Sequence, residues 1–123
     1  MTIENKFASF WIEKGILYFQ YKEDVEIRLP AAIQIVKDRL KLHRGKAYPV
    51  LCDIGGVIDI DLNSRRYFAR EGSILIKAVA LLCITPLSNS FSDIYITGNS
   101  PPIPTKIFTI KEEAVGFLSK YIL

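Results

Sequence analysis

Hydrophobic and polar residues fall along this chain in blocks of strand and helix length. Phe7 to Glu13 and Gly15 to Tyr21 are aromatic and β-branched runs separated by Lys14-Gly15. That enrichment favours strands, and the glycine permits the tight reversal of a hairpin. Lys22-Glu23-Asp24 then interrupts the pattern as a bulge or a second turn. Pro30 suits the first turn of a helix, where its missing N–H costs nothing. Leu29, Ile33, Val36 and Leu40 follow at helical spacing, with Gln34, Lys37, Asp38 and Lys41 on the other side. His43 and Arg44 lie at the negative end of that helix, and Gly45 can supply a left-handed cap.

Tyr48 to Ile54 reads as the next strand, and Asp61 to about Gly72 as the next helix, capped by Asp59 or Asp61. Ala78 to Ile84 is apolar without alternation, which suggests a strand buried on both faces, as in a parallel sheet. Pro86 to Ile96 suggests a short helix using Ser88, Phe91, Ile94 and Tyr95. Gly98 to Pro104 can be neither helix nor central strand, because its three prolines lack donors. Thr105 to Phe108 is a short last strand. Thr109-Ile110-Lys111-Glu112 has the form of a capping box, and Ala114, Phe117, Leu118, Tyr121 and Ile122 then repeat at helical spacing. The expected order is β-β-α-β-α-β-α-β-α. It implies a single α/β domain with a mixed, mostly parallel five-stranded sheet and four helices, the first hairpin adding the antiparallel strand.

Composition narrows the classes of function. A chain of 123 residues, half of them apolar, can bury one proper core, and it shows no repeat, linker or low-complexity tract. Sixteen basic against 13 acidic residues leave +3, with no basic stripe of the kind nucleic acid requires. No apolar run reaches the roughly 18 residues of a membrane span. The opening segment, Met1 to Lys6, is polar and leads straight into a strand, unlike a signal peptide. Cys52 and Cys83 sit inside apolar runs, where a thiol behaves as a small hydrophobe, and a reduced, cytoplasmic protein is expected.

Candidate chemistry concentrates in one stretch, Cys52 to Ser64. It reads as a buried strand that ends at Asp53, turns through Gly55 and Gly56, and enters a helix behind another aspartate. In α/β folds such a corner is where ligands and partners dock. The two glycines could cradle an anion at the helix N-terminus, yet GxGxxG spacing and a P-loop lysine-serine pair are both missing. A tight turn needing positive φ is the plainer explanation. Asp53, Asp59 and Asp61 lack the calcium-loop pattern, so no metal is expected. His43, the single histidine, has no G-x-S-x-G partner, and neither cysteine has a CxxC neighbour. No catalytic residue and no cofactor are expected. Arg65, Arg66 and Arg70 make the second helix basic, either as a solvated face or as a docking surface for an acidic partner. Ile35 and Leu42 lie outside the first helix's stripe and read as a homodimer surface or as a wide buried face.

Both the element order and the corner resemble the STAS domain, the fold of the bacterial anti-sigma factor antagonists. In that family a strand ends in Asp-Leu-Ser-x-Val-x-x-Ile-Asp-Ser-Ser, and the first serine after the second aspartate is phosphorylated. Asp53, Val57, Ile60 and Asp61 fall on matching positions, and Lys106 to Ala114 is similar to the family's closing strand and helix. Leu62 stands at the phosphoacceptor position and Asn63 follows it, so the kinase-controlled switch has no hydroxyl there. Ser64 lies further along and, at about 100° per helical residue, faces another direction. The resemblance implies a non-enzymatic regulatory or protein-interaction module without that switch. Its protein partner would meet the corner at Gly55, Gly56, Asp59, Asp61, Leu62, Asn63, Ser64, Arg66 and Arg70. The alternative, by analogy with the Sec14-type lipid-binding fold, is a small carrier holding an apolar ligand between the sheet and the Pro86 to Pro104 segment.

Overall fold

The computed structural model of the protein describes residues 2–83 and 102–122. Strands β1 (Thr2–Glu4), β2 (Ala8–Glu13), β3 (Ile16–Tyr21) and β4 (Val25–Ile27) lead into helix α1 (Leu29–His43). Then come β5 (Tyr48–Asp53), β6 (Val57–Ile60), α2 (Leu62–Arg70) and a 3₁₀ turn at Glu71–Ser73. Strands β7 (Ile76–Leu82) and β8 (Thr105–Phe108) and helix α3 (Lys111–Ser119) complete the described chain. The helix expected over Pro86 to Ile96 lies outside the described residues.

Six strands form the main sheet in the order β1-β2-β3-β5-β7-β8. The pairs β1–β2 and β2–β3 are antiparallel, and the other three are parallel. The sheet is therefore mixed, but it has six strands where five were expected, and β2 alone runs antiparallel to the rest. Lys14 and Gly15, with φ of 51° and 83°, make the hairpin turn between β2 and β3, the double positive φ that suits strand twist. Two further strands escaped the sequence reading. β4 and β6 pair in parallel as a separate two-stranded ribbon. These pieces are only three or four residues long, too short for alternation to show.

Alternate residues of the central strands feed two cores, as expected of strands covered on both faces. Phe19, Val50, Cys52 and Leu81 point to the side of α1 and α2. Ile16, Leu51, Ala78, Ala80 and Leu82 point to α3, where Ala114 and Leu118 meet them. The expected strand at Ala78 to Ile84 is thus present, set slightly earlier.

Three local expectations need correcting. The buried face of α1 is Ala31, Ala32, Ile35, Val36, Arg39, Leu42 and His43, whereas Ile33 is 44 % exposed. Ile35 and Leu42 are core residues, so they offer no homodimer surface. The apolar count misplaced the face because three buried positions, Asp38, Arg39 and His43, hold polar side chains with hydrogen-bond partners. Second, α3 begins one residue later than a Thr109 cap requires. Its N-cap is Ile110, extended at φ −122° and ψ 124°, with no side-chain cap. Parallel pairing holds the chain extended through Phe108, whose carbonyl accepts from Cys83 N–H at 2.8 Å, and Glu112 and Glu113 complement the helix dipole instead. Third, α1 ends with Arg44 as well as Gly45 in the left-handed region, φ 51° and 79°.

Candidate functional site

The corner differs from its sequence picture in one decisive respect. Strand β6 separates the glycine turn from the start of α2, so Gly55 and Gly56 do not sit at a helix N-terminus. Neither has positive φ. Asp53 Oδ1 accepts the Gly55 N–H at 2.9 Å and the Ile54 carbonyl accepts from Val57 N–H at 3.1 Å, which closes a turn. The Gly55 donor is thereby used and leaves no anion cradle. Gly56 is required for close approach: a Cβ there would strike the Lys22 carbonyl, and its own carbonyl accepts from Val25 N–H at 3.1 Å. The glycines thus tie β6 to the chain before β4.

The β4–β6 ribbon sets the starts of α1 and α2 side by side. The Ile27 carbonyl at the end of β4 accepts from Asp61 N–H at 3.2 Å and from the Ser64 hydroxyl at 3.4 Å. Of the two aspartates, Asp61 is the N-cap, its Oδ1 accepting from Ser64 N–H at 2.9 Å. The Ser64 side chain and then its backbone N–H lower the Asp61 carboxyl below its ordinary value, with Arg28 and Arg65 adding to the effect. Asp59 instead lies on β6 and pairs with Arg28 at 2.9 Å on the surface. Ser64 is fully buried. Leu62, at the position the family pattern gives to its phosphoacceptor, is 46 % exposed.

Of the expected surface, the structure brings Asn63, Arg66 and Arg70 together, with Leu29, Tyr67 and Glu71, around an open groove of about 390 Å³. Leu62 is exposed at the front of the same helix. Gly55, Gly56, Asp59 and Ser64 belong to the framework and not to this groove. Arg66 and Arg70 are exposed, and among the described residues neither enters an ion pair.

The sequence reading missed a second site, between the sheet and the two helices. A half-enclosed cavity of about 90 Å³ is lined by apolar side chains of β3, β5, β7, α1 and α2, together with Arg39 and Arg65. It is not the Pro86 to Pro104 pocket of the carrier reading, most of which lies outside the described residues. Arg39 is 2 % exposed. Its Nη2 donates to the Gly72 carbonyl at 3.0 Å, and its Nη1 donates to His43 Nε2. Because an arginine can only donate, His43 Nε2 accepts, and Nδ1 carries the proton given to the Lys46 carbonyl at 2.9 Å. Burial lowers the His43 imidazole, with the Arg39 charge adding to it, so the ring is neutral and structural, not a cation at the helix end as its position suggested. Burial brings Arg39 itself down to about 10 and pushes the Cys52 thiol well up, which makes that thiol a poor nucleophile. One signal for Arg39 exists in the sequence. It stands four residues after Ile35, three after Val36 and three before Leu42, which puts it on their face.

The family model of a domain of unknown function, DUF7793, matches residues 10–122, and the chain belongs to that family. No curated protein matches it significantly. Among solved structures, an uncharacterised DUF3478-family protein with a SpoIIAA-like fold from Shewanella loihica PV-4 aligns with TM-score 0.64 at 15 % identity, over 94 % of this chain and 98 % of that one. A protein of unknown function from an Arthrobacter species aligns with TM-score 0.36 at 23 % identity, over 89 % and 97 % of the two chains. The first likeness shows the fold, a SpoIIAA-like one, as the STAS resemblance led us to expect. The second bears on nothing further.

Proposed function

We propose that this DUF7793 member is a non-enzymatic docking module that receives an acidic protein surface at the α1/α2 groove. The observation that carries the reading is the pair Arg66 and Arg70, one helical turn apart, exposed, and without an ion-pair partner among the described residues. Exposed Leu62 and groove-lining Leu29 and Tyr67 supply apolar contact beside them. Charges of this kind steer an acidic partner and fix its register more than they stabilise the fold. An enzymatic role has little to stand on, since the single histidine is buried with both ring nitrogens engaged.

The module works without a serine switch at this corner. Leu62 has no hydroxyl, and the Ser64 hydroxyl is buried and given to the Ile27 carbonyl. A phosphate at Ser64 would need α2 to separate from β4. Incubation with kinases from the native cell should leave Ser64 unmodified, and phosphate found on it by mass spectrometry of folded protein would show that the switch had moved.

The docking reading is tested by affinity capture from native extract with wild type, R66K/R70K and R66E/R70E. A specific protein held by wild type and the lysine variant, released by salt and not held by the charge reversal, is the expected result. Identical profiles for all three would make the arginines an ordinary solvated face and end the proposal.

A further inference from the structure

The cavity beneath α1 and α2 is separate from the docking groove, and its chemistry is more specific than an apolar hole. We infer that it binds a small carboxylate, with the short hydrocarbon tail among Val36, Val50, Val79 and Leu81 and the carboxylate received by Arg39 and Arg65. Arg39 and Arg65 both line this one space, from neighbouring helices. Among the described residues, neither has a carboxylate within ion-pair distance. Arg39 meets only neutral acceptors: His43 and the carbonyls of Gly72 and Ile74. Arg65 Nη1 donates to the Ile60 carbonyl at 2.8 Å, yet its Nε is buried with no acceptor among the described residues.

A structural role accounts for part of this arrangement. Arg39 pins the 3₁₀ turn after α2, which a neutral glutamine could also do. It does not account for a fully buried guanidinium and a second arginine with an unmet Nε donor lining one apolar space, with no carboxylate at ion-pair distance from either among the described residues. Burying a charge without a counter-charge, as at Arg39, is costly, and the unmet Arg65 Nε donor adds to that. A bound anion would relieve both costs. A planar carboxylate matches the guanidinium fork in a way that no neutral ligand can. The size of the space limits the rest of the molecule. An engineered apolar cavity of about 150 Å³ accepts benzene. At about 90 Å³ this one suits a smaller tail, on the order of three to five carbons.

The test compares pentanoate with 1-pentanol at neutral pH. Binding is followed by calorimetry and by methyl chemical shifts of Val36, Val50, Val79 and Leu81 in the full chain. Pentanoate should bind at least about ten-fold more tightly than the alcohol, the worth of one charge-assisted hydrogen bond, with shifts confined to those methyls. In Arg65→Met, which keeps the aliphatic stem, the acid-to-alcohol ratio should fall towards one. Mere loosening of the fold would weaken both ligands together and leave the ratio unchanged. No pentanoate binding, equal affinity for the two ligands, or a ratio unaffected by Arg65→Met would each overturn the inference. The wild-type comparison decides it even if the variant does not fold.

Discussion

The two faces of the central sheet are built on different principles. Against α3 the strands present Ala78, Ala80 and Leu82, and the helix answers with Ala114 and Leu118. These are alanines and leucines, with no branching at Cβ, and the cluster holds no charged group. Against α1 and α2 the same strands present Phe19, Tyr21, Val50, Cys52 and Leu81. That larger space also holds buried Asp38, Arg39 and His43 and contains the cavity. The first face is an apolar contact with no buried charge among the described residues. The second gives up close packing to keep polar groups inside, and that is where binding is expected. Neighbouring residues of one strand, Val79 and Ala80, look into these two environments.

The α3 face should therefore be the less forgiving of the two. Leu118→Ala removes a fully buried side chain from a filled cluster and should cost about 2–5 kcal/mol of unfolding free energy. Chemical denaturation measures it, and a loss well under 1 kcal/mol would mean the two faces are not distinct. Adding atoms sharpens the contrast. Ala80→Val overfills the α3 side and should cost about 1–3 kcal/mol. Val79→Ile, one residue away, fills part of the cavity and should be neutral or stabilising, by at most about 0.8 kcal/mol for one methylene. If the two changes had the same sign, the cavity would not be real space.

Acidity should act on the α1 side first. Burial holds the His43 imidazole below its ordinary 6.5, so the unfolded chain takes up a proton more readily than the folded one. The stability this contributes is complete above about 6.5 and is lost as pH falls through that value towards the folded one. Asp38 works in a lower window. Burial opposes its ionisation, but hydrogen bonds from Gln34 and Asn5 at 2.9 Å, together with Lys41, outweigh that and hold it below 3.8. Its contribution is present above that value and is lost as pH falls below it. Thermal melts should therefore decline in two stages, and His43→Gln should flatten the upper one. An unchanged upper stage in that variant would place the titrating group elsewhere.

How much of this was legible in the sequence differs between the same two faces. The α3 side reads directly: an unbroken apolar strand from Ala78, then Ala114 and Leu118 at helical spacing, with no polar residue to confuse the period. The α1 side does not, because Arg39 and His43 count as surface residues in any hydrophobic pattern, although both are buried and hydrogen-bonded, Arg39 to carbonyls more than thirty residues away. That turned the apparent stripe of α1 towards Leu29, Ile33 and Leu40 and left the cavity unseen. At the corner, the sequence offered Asp59 or Asp61 as the cap, of which Asp61 is the one that caps, and the motif set Leu62 at the phosphoacceptor position. It could not show the β4–β6 ribbon, since pairing between segments of three and four residues leaves no periodic trace. Without the ribbon, the glycine turn reads as leading directly to the aspartate that opens the helix. Their actual constraint at Gly56, contact with the Lys22 backbone, is tertiary and invisible to local sequence.

Within the corner, the framework and the surface should separate under mutation. Asp61→Ala removes the cap of α2 and its hydrogen bond to Ser64, and should cost about 1 kcal/mol, as N-cap losses do. Asp59→Ala breaks only an exposed pair with Arg28 and should cost less, within about 0.5 kcal/mol. Equal losses would mean that Asp59 supports the ribbon more than its exposure indicates.

The smallest expected effect on stability is also the one that bears most on function. Arg66 and Arg70 project from α2 into solvent beside the groove, and neither makes an ion pair among the described residues. Reversing both to glutamate therefore removes no contact from the core, and surface changes of this kind move stability by about 0.5 kcal/mol or less. Some cost is expected even so, because glutamate at position 70 puts negative charge near the negative end of the helix. The melting curve should keep its shape and midpoint within that margin, while capture of an acidic partner is lost. If instead the double reversal unfolded the protein, the arginines would be holding α2 in place, and the groove would belong to the framework along with Asp61 and Ser64. A folded variant with unchanged partners would leave the cavity under the same helix as the only site on this face with a claim to function.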